Sequence, residues 1–324
     1  MIGTVGAIAS FQEGSDLLGE LAGVPVEAKQ VERTAEALGA EIAADERQDL
    51  EPADLLPLPP TLYLGMDGTG IPWRAEELAG RVGKQPDGSA QTREVKLCTV
   101  WSAESRDAHG VPRRDEGSVT YSAAIESAAS LDTAAKRSDF SDRVGREATR
   151  RRFTQTQRQV VLGDGAPWIW NLAHELFPQA RQIVDRFHAK QHLSDLGKIL
   201  YGPAHPRAAE WAKRRHQELD DGRFDTLLAA LRQQQPRCPD ARRALGYFQT
   251  NRHRMRYPEF HLQGLCTSTG VVEAGCKVAI GTRLKRAGMH WTLRGSNAII
   301  ALRCCKLSGR FQDFWERRPL RRAT

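Results

Sequence analysis

Apolar residues recur along this chain first with a helical period, then in short strand-like runs, and then helically again. Between residues 10 and 46 two helical stretches stand on either side of a break. Ser10 is placed to cap the first, whose apolar positions are Phe11, Leu17, Leu18 and Leu21. Gly23-Val24-Pro25 interrupts it, and Val31, Ala35, Leu38 and Ile42 then fall on one face of a second helix. Two readings of this pair stay open. One is a helix-turn-helix with Lys29, Gln30 and Arg33 near the start of its second helix; the other is an αα-hairpin packed on the core. Residues 47–60, with Pro52, Pro57, Pro59 and Pro60, read as a linker and set a domain boundary.

The pattern then changes. Thr61–Met66, Val95–Trp101 and Val119–Ala123 are short runs rich in β-branched and aromatic residues, which predicts three strands. Residues 124–152 read as helical. Gln159–Gly163 and Arg181–Asp185 read as two further strands, separated by a helix over Trp168–Phe177. Strands followed by alternating helix and strand predict a mixed α/β sheet. From Phe187 to about Tyr257 only helical patterns occur, with breaks near Gly202-Pro203, Gly222 and Pro236. Helix returns over Gly270–Leu284 and Ser296–Leu307. The expected organisation is a helical segment (1–46), the linker (47–60), a first part of an α/β core (61–186), an all-helical insertion (187–265), and completion of the core with a basic tail (266–324).

Composition narrows the class. Of 324 residues, 40% are apolar, enough for a sizeable core, and 47 Lys and Arg against 40 Asp and Glu leave a net charge of +7. The excess is uneven. The first fifty-odd residues are acidic or balanced, whereas the last forty-odd carry Arg283, Lys285, Arg286, Arg294, Arg303, Lys306, Arg310, Arg317, Arg318, Arg321 and Arg322 against Asp313 and Glu316. This predicts either a polyanion near the C-terminal third or a solvated basic tail. The six cysteines form no C-x-x-C pair and no zinc spacing, so free thiols in a reducing cytoplasm are expected. No apolar run approaches the roughly 20 residues of a membrane span, so no membrane partner is expected.

Two aspartates follow hydrophobic runs directly and precede glycine: Asp67 in LGMDGTG and Asp164 in VVLGDGAPW. Each is placed at the end of a strand, where ligands of α/β sheets gather. Glu273, in STGVVEAGCK, lies near the start of a helix flanked by Gly270 and Gly275. Taken singly, each has an ordinary alternative: a turn aspartate, or a helix-surface Glu273–Lys277 pair. Taken together, three converging carboxylates suit two Mg²⁺ (or Mn²⁺) ions, which prefer oxygen ligands and support phosphoryl transfer.

These segments resemble a known family. LGMDGTGIPWRAEELAGR followed by Gly83-Lys84, the stretch from Asp87 to Leu97, DGAPWIW and GVVEAGCK are similar to bacterial insertion-sequence transposases of the ISKra type, distant relatives of the Mutator-like group. The resemblance runs from about Phe11 to about Arg318. It implies an RNase H-like five-stranded sheet flanked by helices and interrupted by the helical insertion, with a DDE triad of Asp67, Asp164 and Glu273. It also implies double-stranded DNA as partner (terminal inverted repeats and target), self-association on paired ends, no small-molecule cofactor, and a cytoplasmic, nucleoid-associated location. Mutator-like enzymes carry a C/D-x-x-H signature after the second Asp; Asp185-Arg186-Phe187-His188 fits it and puts Asp185 and His188 near the site. Relatives extend further upstream than Met1, so the alternative expectation is a truncated, non-catalytic remnant that competes at, or regulates, element ends.

The segment 74–93, with Arg74, Arg81, Lys84 and Arg93, reads either as a DNA-backbone contact loop or as a solvated hairpin, and Arg283 on the Glu273 helix with Lys285 and Arg286 just after it are further DNA candidates. Lys277 is a candidate beside the carboxylates. The glycines of residues 80–85 lack the spacing of a phosphate loop. A carboxylate-pair glycoside hydrolase is the rival enzyme class; it would act without metal.

Overall fold

The computed structural model describes residues 1–48, 57–78, 92–128 and 137–322. Arg81 and Lys84 lie outside them. Three helices open the chain: α1 (Ile2–Ile8), α2 (Phe11–Ala22) and α3 (Ala28–Gln48). The core follows with β1 (Thr61–Pro72), β2 (Thr92–Trp101), a small hairpin of β3 (Ser105–Arg106) and β4 (Pro112–Arg113), β5 (Thr120–Ala124), α4 (Asp139–Arg150), β6 (Arg158–Gly163), α5 (Pro167–Leu176) and β7 (Arg181–Val184). Helices α6 (Arg186–Tyr201), α7 (Pro206–Asp220), α8 (Phe224–Gln234), α9 (Pro239–Asn251) and α10 (Tyr257–Leu262) form the interruption. The chain returns through α11 (Gly270–Gly275), a π-helical turn (Cys276–Gly281), α12 (Thr282–Leu284), α13 (Leu293–Leu307) and α14 (Phe311–Arg322).

The sheet is five-stranded in the order β5-β2-β1-β6-β7. Strand β2 runs antiparallel to β1 and to β5, whereas β6 pairs parallel with both β1 and β7. The expected strands are therefore all present, and their mixed directions agree with the α/β class. Central β1 reads as an unbroken apolar run because both of its neighbours are strands and its residues 61–66 are buried. It is longer than the apolar run predicts. Its pairing with β6 stops at Gly65, but its pairing with β2 continues to Pro72. Asp67 thus sits inside a strand that outruns its parallel neighbour, not at a strand end.

Proline and glycine set the helical breaks where they were expected. Helix α6 stops at Tyr201 before Gly202, α7 and α9 each begin on a proline at N1, and Gly222 separates α7 from α8. The basic tail is not a tail: its residues build α13, α14 and their contacts.

The N-terminal helices are joined to this core. Ser10 caps α2 with a reciprocal bond from Glu13, as the sequence suggests. The Val31, Ala35, Leu38 and Ile42 face of α3 is buried, and α3 lies against α13. The crossing is close: a Cβ on Gly39 would strike the Ala298 carbonyl. Lys29, Gln30 and Arg33 remain exposed.

Charge segregation along the chain resolves into pairing across this seam. Arg318 binds Glu41 at 2.6 Å, Arg317 binds Asp45 at 2.9 Å, and Arg286 forks onto Glu13 with its second nitrogen at 2.6 Å. Arg310 reaches the fully buried Glu147 at 2.8 Å, with Arg150 on the same carboxylate at 3.4 Å. Burial opposes ionisation of Glu147, yet Arg310 and Arg150 hold its pKa below the ordinary value. Much of the C-terminal basic excess therefore neutralises the acidic N-terminal helices and the core instead of standing free for a polyanion. Removing one partner of such a buried pair strands the other's charge. Glu147→Ala is expected to lose about 3–5 kcal/mol of unfolding free energy, measurable by urea denaturation followed by circular dichroism; a loss under about 1 kcal/mol would show that the pair is not structural.

Candidate active site

Helix α11 crosses the sheet at a distance only glycine allows. A Cβ on Gly65 of β1 would overlap Val272, and one on Gly275 would come within 2.9 Å of Leu97 Cδ2. Leu97 is the cross-strand partner of Asp67, and such partners share a face of the sheet. Asp67 and α11 are therefore on one face. Its Oδ1 accepts the Gly68 N–H at 2.7 Å, and its Oδ2 accepts the Cys276 thiol at 3.5 Å. Burial raises the Asp67 pKa above the ordinary carboxylate value, and the charges of Asp164 and Glu273 add to the rise against those two bonds.

Asp164 follows β6 directly. Its Oδ1 accepts the Ala166 N–H at 2.8 Å, closing a turn through Gly165, whose φ of +105° favours glycine. Glu273 lies in the first turn of α11 and is exposed. The three carboxylates thus gather on one region, close enough for two of them to act on the third. None has a Lys or Arg ion-pair partner among the described residues, in contrast to the neutralised acids of the core. Among the described residues, however, no group of three His, Cys, Asp or Glu side chains is arranged to hold a single metal ion. The donor set itself, oxygen-only and negative, fits a hard divalent cation.

The helix expected over Gly270–Leu284 is present and unbroken, but its hydrogen bonding changes partway along. After Gly275 it widens into the π turn, a feature found often at functional sites. Arg303 of α13 meets the carbonyls there: its Nε donates to Ala279 O at 2.8 Å, and its Nη2 donates to Val278 O. Arg303 also donates to Ala7 O, and Arg283 Nε donates to Gly6 O at 3.2 Å. Two buried arginines thereby satisfy carbonyls in the last turn of α1, where helix ends lack partners. The N-terminal helices are tied by these bonds to the segment that carries Glu273.

Several sequence candidates take other places. Arg283 is fully buried, with its guanidinium 4.6 Å from the Phe11 ring centre; burial lowers its pKa to about 10. It cannot present a charge to a DNA backbone, which corrects that expectation. Arg286 is engaged by Glu13, and Arg93 lies over the Trp73 ring at 4.3 Å. Asp185 is buried and acts as a clasp: it caps α6 through the Phe187 and His188 N–H groups at 2.6 and 2.9 Å and accepts from the Thr269 N–H and hydroxyl. These bonds use both of its carboxylate oxygens. Lys285 is exposed and donates to Thr69 Oγ1, two residues from Asp67, while Lys277 and Arg74 are exposed.

His188 stands at one end of a ladder of rings whose other end reaches the Asp164 turn. His188 and His192 are 4.8 Å apart edge to face, and His192 is 4.4 Å from Tyr247 of α9. Although His192 counts among the exposed residues, desolvation by its neighbours and the His188 ring lower its pKa, against the pull of Asp164. The Tyr247 hydroxyl donates to the Asp164 carbonyl at 2.7 Å; burial and then the Asp164 and Asp185 charges push its pKa above the ordinary value. His192 was readable as the i+4 neighbour of His188 on one helix face. Tyr247, 83 residues from Asp164, carries no local signal.

These features define a mixed α/β protein with an acidic site at the centre of its sheet. Residues 140–317 match the uncharacterised protein family UPF0236, and the chain belongs to that family. The matched region includes Asp164 and Glu273 and begins after Asp67. No curated protein matches the chain. Among the described residues, no helix is long and apolar enough to cross a membrane.

The raised Asp67 pKa has a measurable consequence. Folding makes this carboxyl hold its proton more tightly, so the associated stabilisation is full below the unfolded pKa and is lost as pH rises through the raised folded one. Ionised Asp67 therefore opposes folding at neutral pH. Asp67→Asn is expected to melt higher than the native chain at neutral pH, with the gap closing as pH falls below the ordinary carboxylate range. Equal melting temperatures at neutral pH would contradict the unneutralised site.

Proposed function

We propose that this protein is a metal-dependent DNA transposase with an RNase H-like core, cutting and joining DNA strands through Asp67, Asp164 and Glu273. The observation that carries the reading is the gathering of these three unpaired carboxylates from a central strand, its parallel neighbour and a crossing helix. Strand order and direction support it, since β5-β2-β1-β6-β7 with β2 antiparallel to β1 is the arrangement expected of an RNase H-like sheet. So does the position of the helical block between β7 and the Glu273 helix, as the resemblance to ISKra-type transposases implies.

Two Mg²⁺ or Mn²⁺ ions held by these carboxylates would supply a water of lowered pKa and stabilise the leaving oxygen of a phosphodiester. The chain's own residues do the rest. Asp67 is the first ligand, kept at one angle by the Gly68 N–H and the Cys276 thiol. Asp164 is turned by the Ala166 N–H. Among the described residues, Lys285, Lys277 and Arg74 are exposed cations that would hold the phosphate backbone, in a salt-dependent manner. Self-association would bring two element ends together, and the exposed Lys29, Gln30 and Arg33 of α3 are the N-terminal residues open to DNA.

The test is strand cleavage of a DNA carrying the element's terminal repeats. Cleavage is expected with Mg²⁺ or Mn²⁺, to be lost in EDTA, and to fall by at least about a hundredfold in each of Asp67→Ala, Asp164→Ala and Glu273→Ala. Activity that survives EDTA would sink the proposal and favour metal-free acid catalysis. Binding of the repeats without cleavage under any metal would favour the non-catalytic remnant.

A further inference from the structure

Asp164 is held twice. Its side chain is tied to the Ala166 N–H at 2.8 Å, and its backbone carbonyl accepts the Tyr247 hydroxyl at 2.7 Å. Between them Gly165 adopts φ +105°, and a Cβ there would strike the Tyr247 ring. The turn carrying the second carboxylate is therefore closed against a tyrosine that belongs not to the sheet but to α9 of the helical block. Tyr247 is itself braced. His192 packs on its ring at 4.4 Å, His188 packs on His192 at 4.8 Å, and Phe248 lies at 5.3 Å on the same helix. His188 is in the first turn of α6, which Asp185 caps, so the ladder runs from the end of β7 to Asp164.

We infer that Tyr247 is a positioning residue for Asp164, and that the helical block uses the Tyr247–His192–His188 ladder to set the angle of this carboxylate. The inference rests on the transposase reading only for its catalytic consequence. The grip itself is a property of the fold. A phenol donating to a carbonyl fixes the peptide plane, and the Asx turn fixes the side chain relative to that plane, so both freedoms of Asp164 are removed. Ligand groups must be held to about 0.5 Å for efficient metal chemistry, and a glycine turn alone would not do so. The block thus does more than carry the chain from β7 to Glu273: it supplies the clamp on the opposite carboxylate.

Tyr247→Phe removes the hydrogen bond and keeps the ring. In the full chain, amide hydrogen exchange over residues 164–168 is expected to quicken by about tenfold, with β6 and α13 unchanged and the melting temperature near native. In the cleavage assay kcat is expected to fall about tenfold while KM for DNA stays native, because a ligand is misplaced and no substrate contact is lost. His192→Phe, which keeps the stack, is expected to retain native exchange in the turn. Native exchange in Tyr247→Phe would overturn the grip, and faster exchange with native kcat would overturn its positioning role. If the native chain does not cleave DNA while exchange responds as expected, the grip stands and the transposase reading falls. If the native chain cleaves and Tyr247→Phe matches it in both measurements, the reading stands and the inference falls.

Discussion

One carboxylate, that of Asp185, joins the parts of this fold that must act together. It accepts four donors, two from the start of α6 and two from Thr269 just before α11. Its own N–H binds Gly163 O at 2.8 Å, the residue before Asp164, and the next N–H binds Thr267 O at 2.9 Å. The exit of β7, the turn after β6, the first turn of the helical block and the approach to Glu273 therefore meet at a single buried residue. A buried carboxyl in this position has its oxygens satisfied by these four donors; left without partners it would cost several kcal/mol. The insertion of some eighty residues can leave and re-enter the core because both of its ends are fastened here.

The second constraint is the seam between the two ends of the chain. Acids of α2 and α3 are neutralised by Arg286, just before α13, and by Arg317 and Arg318 of α14, while Arg283 and Arg303 run inward to the carbonyls of α1. This pairing changes what the net charge means. Many of the arginines behind the excess of +7 are committed internally, and among the described residues Lys285 and Lys277 are exposed cations near the carboxylates.

Close approach is the third. Gly65 gives room to the Val272 side chain of α11, Gly275 to the Leu97, Tyr121 and Thr99 side chains of the sheet, and Gly39 to the Ala298 carbonyl of α13. The site is thus assembled by packing at its base and by polar clasps at its rim. Among the described residues, that division leaves the carboxylates without a Lys or Arg ion-pair partner.

Much of this architecture was legible in the chain itself. Short apolar runs gave the five strands, proline and glycine gave the helix breaks of the interruption, and Ser10 with Glu13 gave a cap, because each depends on residues near in sequence. Asp67, Asp164 and Glu273 stood out for the same reason, as acids directly following or flanked by glycine. What local pattern could not fix was partnership. Whether an arginine faces solvent or a carbonyl 277 residues away, as Arg283 does, depends on which surfaces meet, and charge composition is blind to that. The same holds for β1, which outruns its apolar signal because β2 supplies hydrogen bonds as far as Pro72. Tyr247 reaches Asp164, and Asp185 turns inward to Thr269, only once the helical block has folded back on the sheet. The sequence determined the elements and the acids; the tertiary structure decided which charges were already spoken for, since hydrogen bonds and ion pairs are settled by distance in space and not by distance along the chain.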